Sequence, residues 1–256
     1  MSGDICFDWP YVPPAQSADV PDDALSAAFL TQTLWQPGQD ITISFIDDDA
    51  EPWKKAWVEK VVAEYIQPHV DLNLLFGNYG FSADIRITFK NQGVAYSRLG
   101  VQSSYIKEEE SMNLGFLHNP TSGTFEWNGE VYTFPDGPSG NTNGQVIIHE
   151  FGHAIGMIHE HQNPKGGIEW NVEAVLDHYV GKPPMNWTEE EVYVNILNKY
   201  SIDQLNASKF DPESVMMYSI PASLTLDGTS TTSNPVPSKL DIRWMGKVYG
   251  KKKSNK

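Results

Sequence analysis

His149-Glu150-Phe151-Gly152-His153-Ala154-Ile155-Gly156-Met157-Ile158-His159-Glu160-His161 carries more structural information than any other part of the chain. On a helix His149 and His153 stand one turn plus about 40° apart, so both imidazoles leave the same face and can share one ion. Glu150 follows the first histidine and lies beside that ion. Gly156 can take the left-handed conformation that ends a helix and turns the chain back, which brings His159 to the same ion from another direction. Three neutral imidazoles with an open fourth position describe a catalytic zinc site, whereas structural zinc is closed by four ligands and is rich in cysteine. A bare His-Glu-x-x-His arises by chance in about one chain in a hundred of this size. The added Gly and third His lower that chance by about three orders of magnitude.

The segment resembles the zinc signature of the metzincin metalloproteases, and Glu160 directly after the third histidine points within that clan to astacins. Ser214-Val215-Met216-Met217-Tyr218 is similar to the astacin Ser-Ile-Met-His-Tyr, the second mark of the clan. The resemblance implies that Met216 packs beneath the zinc histidines and that Tyr218 brings a phenol near the metal. Weaker matches lie in the right order over about residues 34 to 250. Met112-Asn113-Leu114-Gly115-Phe116 resembles the edge strand along which metzincins bind an extended substrate. Phe210 to Ser214 precedes the Met-turn as in astacins, and Ser238-x-x-Asp241-x-x-x-Met245-x-x-x-Tyr249 resembles the closing helix. The whole is most similar to the cysteine-poor, astacin-like proteins of microbes. It departs from animal astacins in its single cysteine, Cys6, which excludes their two intrachain disulfides. Asn163 and Lys165 stand where they carry Arg and Asp, and Met217 replaces their usual His. Their arginine that favours acidic residues near the cleaved bond is not identifiable among Arg86, Arg98 and Arg243.

The fold class implied is α+β, a metzincin two-lobe catalytic domain. Its N-terminal lobe holds a twisted, mostly parallel sheet with an antiparallel edge strand and two main helices; its C-terminal lobe is irregular loop and helix. The resemblance further implies one catalytic Zn2+ on His149, His153 and His159, with Glu150 as general base and Tyr218 as donor to the oxyanion. Gly156, Glu160 and Met216 support the site. Glu160 either anchors the mature N-terminus or nearby polar groups, or is a solvated acid. His161 either touches the metal edge or orients loops, and Phe116 is either core or a wall of the cleft. His69, His118 and His178 have no motif around them and read as structural. A peptide added antiparallel to the Met112 to Phe116 edge gains main-chain hydrogen bonds that tolerate many side chains, so protein or peptide substrates and broad endopeptidase specificity are expected. Two other readings stay open. One is a catalytically silent zinc-binding recognition protein, against which Glu150 argues because a binder needs no base. The other is a thermolysin-like site with Glu169 or Glu173 as third ligand, which the Gly156 to His159 spacing disfavours.

Outward from the signature, Ile41, Ile43 and Phe45 alternate with Thr42 and Ser44, the period of a half-buried strand. Pro52 fits a first helical turn, and Trp53, Trp57, Val61 and Tyr65 draw an apolar stripe down a helix that ends by Pro68. Residues 72–76, 83–89 and 112–116 read as strands, 119–144 as loop, 145–155 as an apolar helix, and 172–179 and 188–200 as later helices. The expected division is a lead-in segment 1–33, a candidate pro-segment; a catalytic domain 34–250 with lobes 34–156 and 157–250; and a basic tail 251–256. The lead-in carries four prolines and the aromatic anchors Phe7, Trp9 and Tyr11, which favour an irregular wrap away from the zinc. Cys6 then reads as a small hydrophobe and Asp4 as a solvated acid; either of them at the zinc would make the chain a zymogen.

With 256 residues, 40% hydrophobic and 20% charged, the composition is that of an ordinary globular protein. Eighteen basic residues against 33 acidic ones leave a net charge of −15, a field that opposes nucleic acid and anionic membrane as partners. No run approaches the roughly 18 apolar residues that span a bilayer. The first 53 residues contain no Lys or Arg, so the basic start of a secretory signal is missing. A secreted or exported location is still favoured over the cytoplasm, by an unconventional route or with a leader already removed. A monomer is expected.

Overall fold

The computed structural model describes residues 6–8, 29–91, 94–115, 123–134, 142–182, 186–200, 205–206 and 209–250. In chain order the elements are β1 (Cys6–Asp8), β2 (Phe29–Leu30), β3 (Asp40–Phe45), α1 (Pro52–Tyr65), β4 (Asn73–Phe76), β5 (Ile85–Thr88), β6 (Ala95–Ser97) and β7 (Met112–Leu114). Then come β8 (Gly123–Trp127), β9 (Glu130–Phe134), α2 (Thr142–Ala154), α3 (Val172–Tyr179), α4 (Glu189–Val192), β10 (Leu205–Asn206) and α5 (Lys239–Tyr249).

Six strands form one sheet in the order β1-β6-β7-β5-β3-β4. β4, β3, β5 and β7 run parallel, β6 runs antiparallel to β7, and β1 lies parallel to β6. This is the α+β architecture expected, mostly parallel with antiparallel strands at one margin. The alternation in β3 and β5 turns Ile41, Ile43, Ile85 and Ile87 into one core with Val58, Val61 and Val62 of α1 and Ile147, Ile148 and Phe151 of α2. Arg86, between two of those isoleucines in sequence, is fully buried. Its guanidinium donates to the carbonyls of Ala83, Asp84, Ser103, Ile106 and Glu109, which clamps the segment between β6 and β7 onto the sheet. Arg98 pairs with Glu109 in the same segment. Both arginines are thus taken up by the framework.

Three expectations need correction. Met112, Asn113 and Leu114 do not form an edge: β7 is bonded on one side to β5 and on the other to β6, and all three residues are buried. The Asn113 side chain donates to the carbonyls of Asn91 and Val94, and a Cβ on Gly115 would lie 1.8 Å from Asn91 O. Phe116 lies outside the described residues. The antiparallel strand is β6, three residues that show no periodicity, and its outer side carries β1 with Phe7 opposite Tyr96. Second, the stretch expected to be loop contains the β8–β9 hairpin, turned at Asn128 and Gly129 with φ of 50° and 80°. Asn-Gly is the preferred pair for that turn type. The hairpin packs on α1 through an edge-on contact of Phe125 with Trp57. Third, the helix expected over 188–200 is α4 followed by a π-helical turn, Tyr193–Leu197.

A second core holds Ile168, Val175, Trp187, Val192, Ile196, Met217, Ile220 and Leu224. α5 packs Trp244, Met245 and Tyr249 into the first core. Its start is fixed by reciprocal bonds between Ser238 and Asp241. Among the described residues no helix is long and apolar enough to cross a membrane.

Candidate metal centre

α2 carries His149, Glu150 and His153, all buried, and its end is held by two distant side chains. Trp35 Nε1 donates to Ala154 O at 2.8 Å, and the Tyr249 hydroxyl donates to Ile155 O at 2.5 Å. Gly156, at φ 92°, then turns the chain, with its N–H on His153 O and the Met157 N–H on Gly152 O. A Cβ at Gly156 would meet Leu34 Cδ2 at 3.0 Å, a tight contact added to the strain that a side chain would suffer at this φ. The turn delivers His159, fully buried, opposite the helix.

The three imidazoles converge through one type of atom. His159 Nε2 lies 3.1 Å from His149 Nε2 and 3.1 Å from His153 Nε2. The far nitrogens of the helix pair are committed elsewhere: His149 Nδ1–H donates to Val215 O at 2.9 Å and His153 Nδ1–H donates to Met157 O at 2.8 Å. A carbonyl can only accept, so these bonds place the protons on Nδ1 and leave Nε2 lone pairs facing a common point. Burial pushes the His159 pKa well down, with His149 and His161 acting the same way and the Gln162 side chain opposing them. His159 is therefore neutral too. Nitrogens at about 2.0–2.1 Å from a tetrahedral zinc stand about 3.3 Å apart, close to the spacing found. The donor set fits zinc, and among the described residues it is the group of three or more His, Cys, Asp or Glu side chains that could hold a metal.

The Met-turn closes the site from below. A Cβ on Gly152 would lie 2.5 Å from Met216 Sδ, so the sulfur occupies the space that a side chain at position 152 would take. Val215 O holds His149, while the Val215 N–H and Ser214 hydroxyl donate to the Asp241 carboxylate at 2.9 and 2.8 Å. Burial pushes the Asp241 pKa up to about 6 against the pull of these donors. Tyr218, half-buried, has its ring centroid 4.2 Å from that of His159 and 6.2 Å from that of His149. Glu160 is buried and not solvated: its Oε1 accepts from Asn163 Nδ2 and the Asp211 N–H, both at 2.9 Å. Burial pushes its pKa up to about 8, with those two donors lowering it.

Thus His149, His153 and His159 converge, Gly156 makes the turn between them, Tyr218 packs on His159 and the Glu160 N–H bonds to Met216 O, while Glu150 is buried on the same helix and the Met112 to Leu114 strand is bound into the sheet. Gly152, Asp241 and the carbonyls of Val215 and Met157 are site-shaping groups that sequence reasoning missed. A helix-capping Ser-x-x-Asp was the visible trace of Asp241, and a glycine inside an apolar helix was that of Gly152.

No protein-family model matches the chain, and no curated protein does. Solved structures do. A structure of myroilysin is 32% identical with a TM-score of 0.74, covering 88% of this chain and 99% of that one. A crystal structure of myroilysin gives 30% identity, a TM-score of 0.57, and coverage of 96% and 91%. High choriolytic enzyme 1, a hatching enzyme zinc-protease of the medaka fish Oryzias latipes, shares the fold at 15% identity and a TM-score of 0.53, over 90% of this chain and 100% of its own. With the histidine triad and the Met-turn in place, the chain belongs to the astacin-like metzincins, a family of zinc metalloproteases.

Proposed function

We propose that the chain is an endopeptidase that hydrolyses peptide bonds within extended polypeptides, with one zinc ion held by His149, His153 and His159. The convergence of three Nε2 atoms, two with their Nδ1–H bonds already spent on carbonyls, carries this reading. When bound, zinc supplies Lewis-acid polarisation of a carbonyl and lowers the pKa of a water to about 7. Glu150, buried and next to His149, takes the proton of the attacking water and passes it to the leaving amine. The Tyr218 phenol donates to the oxyanion of the tetrahedral intermediate, a contact worth roughly 2.7–4 kcal/mol where comparable donors have been removed.

Because β7 has both ladders filled, strand addition of substrate is assigned to the outer margin, where β1 itself pairs with β6. The lead-in 1–33 then competes with substrate, and 34–250 is the catalytic domain. The protein acts as a monomer outside the cytoplasm, on protein or peptide substrates, with no nucleic acid or membrane partner.

The test is peptide hydrolysis by the wild type and Glu150→Gln, with zinc content measured on both. The variant retains one zinc per chain and loses several orders of magnitude in turnover. Near-normal turnover sinks the base assignment. A zinc-loaded wild type that cleaves no member of a peptide library points to recognition alone.

A further inference from the structure

The π-helical turn Tyr193–Leu197 has no part in the reading above, yet it is tied to the zinc loop. Such a turn breaks the regular helical bonding and so can offer carbonyls to side chains. Val194 O accepts from Gln162 Nε2 at 2.8 Å, and Asn195 O accepts from His161 Nε2–H at 3.0 Å. His161 is fully buried. Its ring stacks on Tyr218 with centroids 4.7 Å apart and planes 26° apart, and on His159 at 5.3 Å and 22°. With Tyr218 and His159 at 4.2 Å, the three rings close a triangle in which Tyr218 alone is half-buried. Trp170 meets the His161 ring edge-on at 6.1 Å.

We propose that His161 is a positioning residue for Tyr218: a ring pinned by the Asn195 carbonyl, against which the phenol is held beside the metal centre. A half-buried tyrosine rotates about two side-chain bonds, and a donor that must rotate into place stabilises an oxyanion less than one already aimed. His161 keeps its Nε2–H whether neutral or charged, so the contact does not depend on its titration. The inference rests on the role of Tyr218 proposed above. A purely structural His161 would instead tie the zinc loop to the second core and act on every step alike.

A double-variant comparison separates these. kcat and KM for a fluorogenic peptide, per zinc-bearing molecule, are measured for His161→Ala, Tyr218→Phe and the double variant. His161→Ala lowers kcat about tenfold or more and leaves KM and zinc content within about twofold; once Tyr218 is Phe, it costs less than about twofold. His161→Phe, which retains a stacking ring, recovers part of the loss. The proposal is overturned if the two losses multiply in the double variant, or if zinc content falls and the rate per zinc-bearing molecule stays at the wild-type value. If Tyr218→Phe turns over like the wild type, the Tyr218 reading fails and this inference with it, a result distinct from multiplication. Should His161→Ala fail to fold, His161→Gln, with a donor for Asn195 O and no ring, gives the same readout.

Discussion

Gly152→Ala is a one-methyl probe of the floor of the metal centre. The new Cβ would lie 2.5 Å from Met216 Sδ, 3.3 Å from Met216 Cε and 3.6 Å from Met157 Sδ. A carbon and a sulfur need about 3.5 Å or more, so the sulfur must retreat by about 1 Å within a site where Met216 is 1% exposed. Overpacking of this kind costs about 1–3 kcal/mol, and alanine in a helix interior returns about 0.5–1 kcal/mol. The net loss is about 0.5–2 kcal/mol, or a Tm lower by about 1 to 8 °C for a chain of this size. Met216 also donates its N–H to Ser214 Oγ and accepts the Glu160 N–H, so its retreat disturbs both sides of the histidine cluster. Zinc affinity falls by about tenfold, the scale seen when groups supporting ligands are disturbed. Thermal unfolding with and without chelator measures the first effect, and competition with a calibrated chelator measures the second. The control is Met216→Ala, which vacates the space. In that background Gly152→Ala becomes neutral or stabilising. An equal loss of Tm in both backgrounds would refute the steric account.

Asp241 titrates at about 6 in the folded chain against 3.8 unperturbed, raised chiefly by burial. A group with a raised folded pKa stabilises most below its unfolded pKa and loses that contribution as pH rises through the folded value. The apo protein therefore loses on the order of 3 kcal/mol from this group between about pH 4 and pH 7, and Asp241→Asn does not; identical pH slopes in urea unfolding would count against it. Deleting residues 1–8 removes β1 from β6. kcat/KM for a long peptide then rises severalfold, to roughly three- to tenfold, with little change for a short one, and equal changes for both would place the substrate elsewhere.

What the sequence made legible is what is local. Two histidines one helical turn apart, a glycine turn that brings in the third and a proline at the start of α1 act over a few residues, and the structure has them as read. Non-local pairing was out of reach. Ala95-Tyr96-Ser97 is too short to show a period, so nothing in it signals that β6 lies outside β7. Strand length and hydrophobicity are alike for an interior and an edge strand, and only the register of both neighbours tells them apart. The hairpin is a different case. Its Asn128-Gly129 turn and flanking aromatics were visible, and the surrounding Gly and Pro content hid them.

The same distinction explains why the metal centre is more than its signature. Met216 belongs to the first core and Met217 to the second, so the Met-turn lies on the seam between them. His149 and His153 ride on a helix of the first core, while Tyr218 packs with the second and His161 hangs from its π-turn. Asp241 binds the Met-turn to α5, which itself returns to the first core. The three ligands come from one short segment of chain, but the phenol, the sulfur and the carbonyl that fixes a ligand tautomer come from the turn where the cores meet. A change that shifts one core against the other must therefore alter the placement of Tyr218 relative to the histidines before it breaks the triad, and turnover is more sensitive to such a change than zinc content.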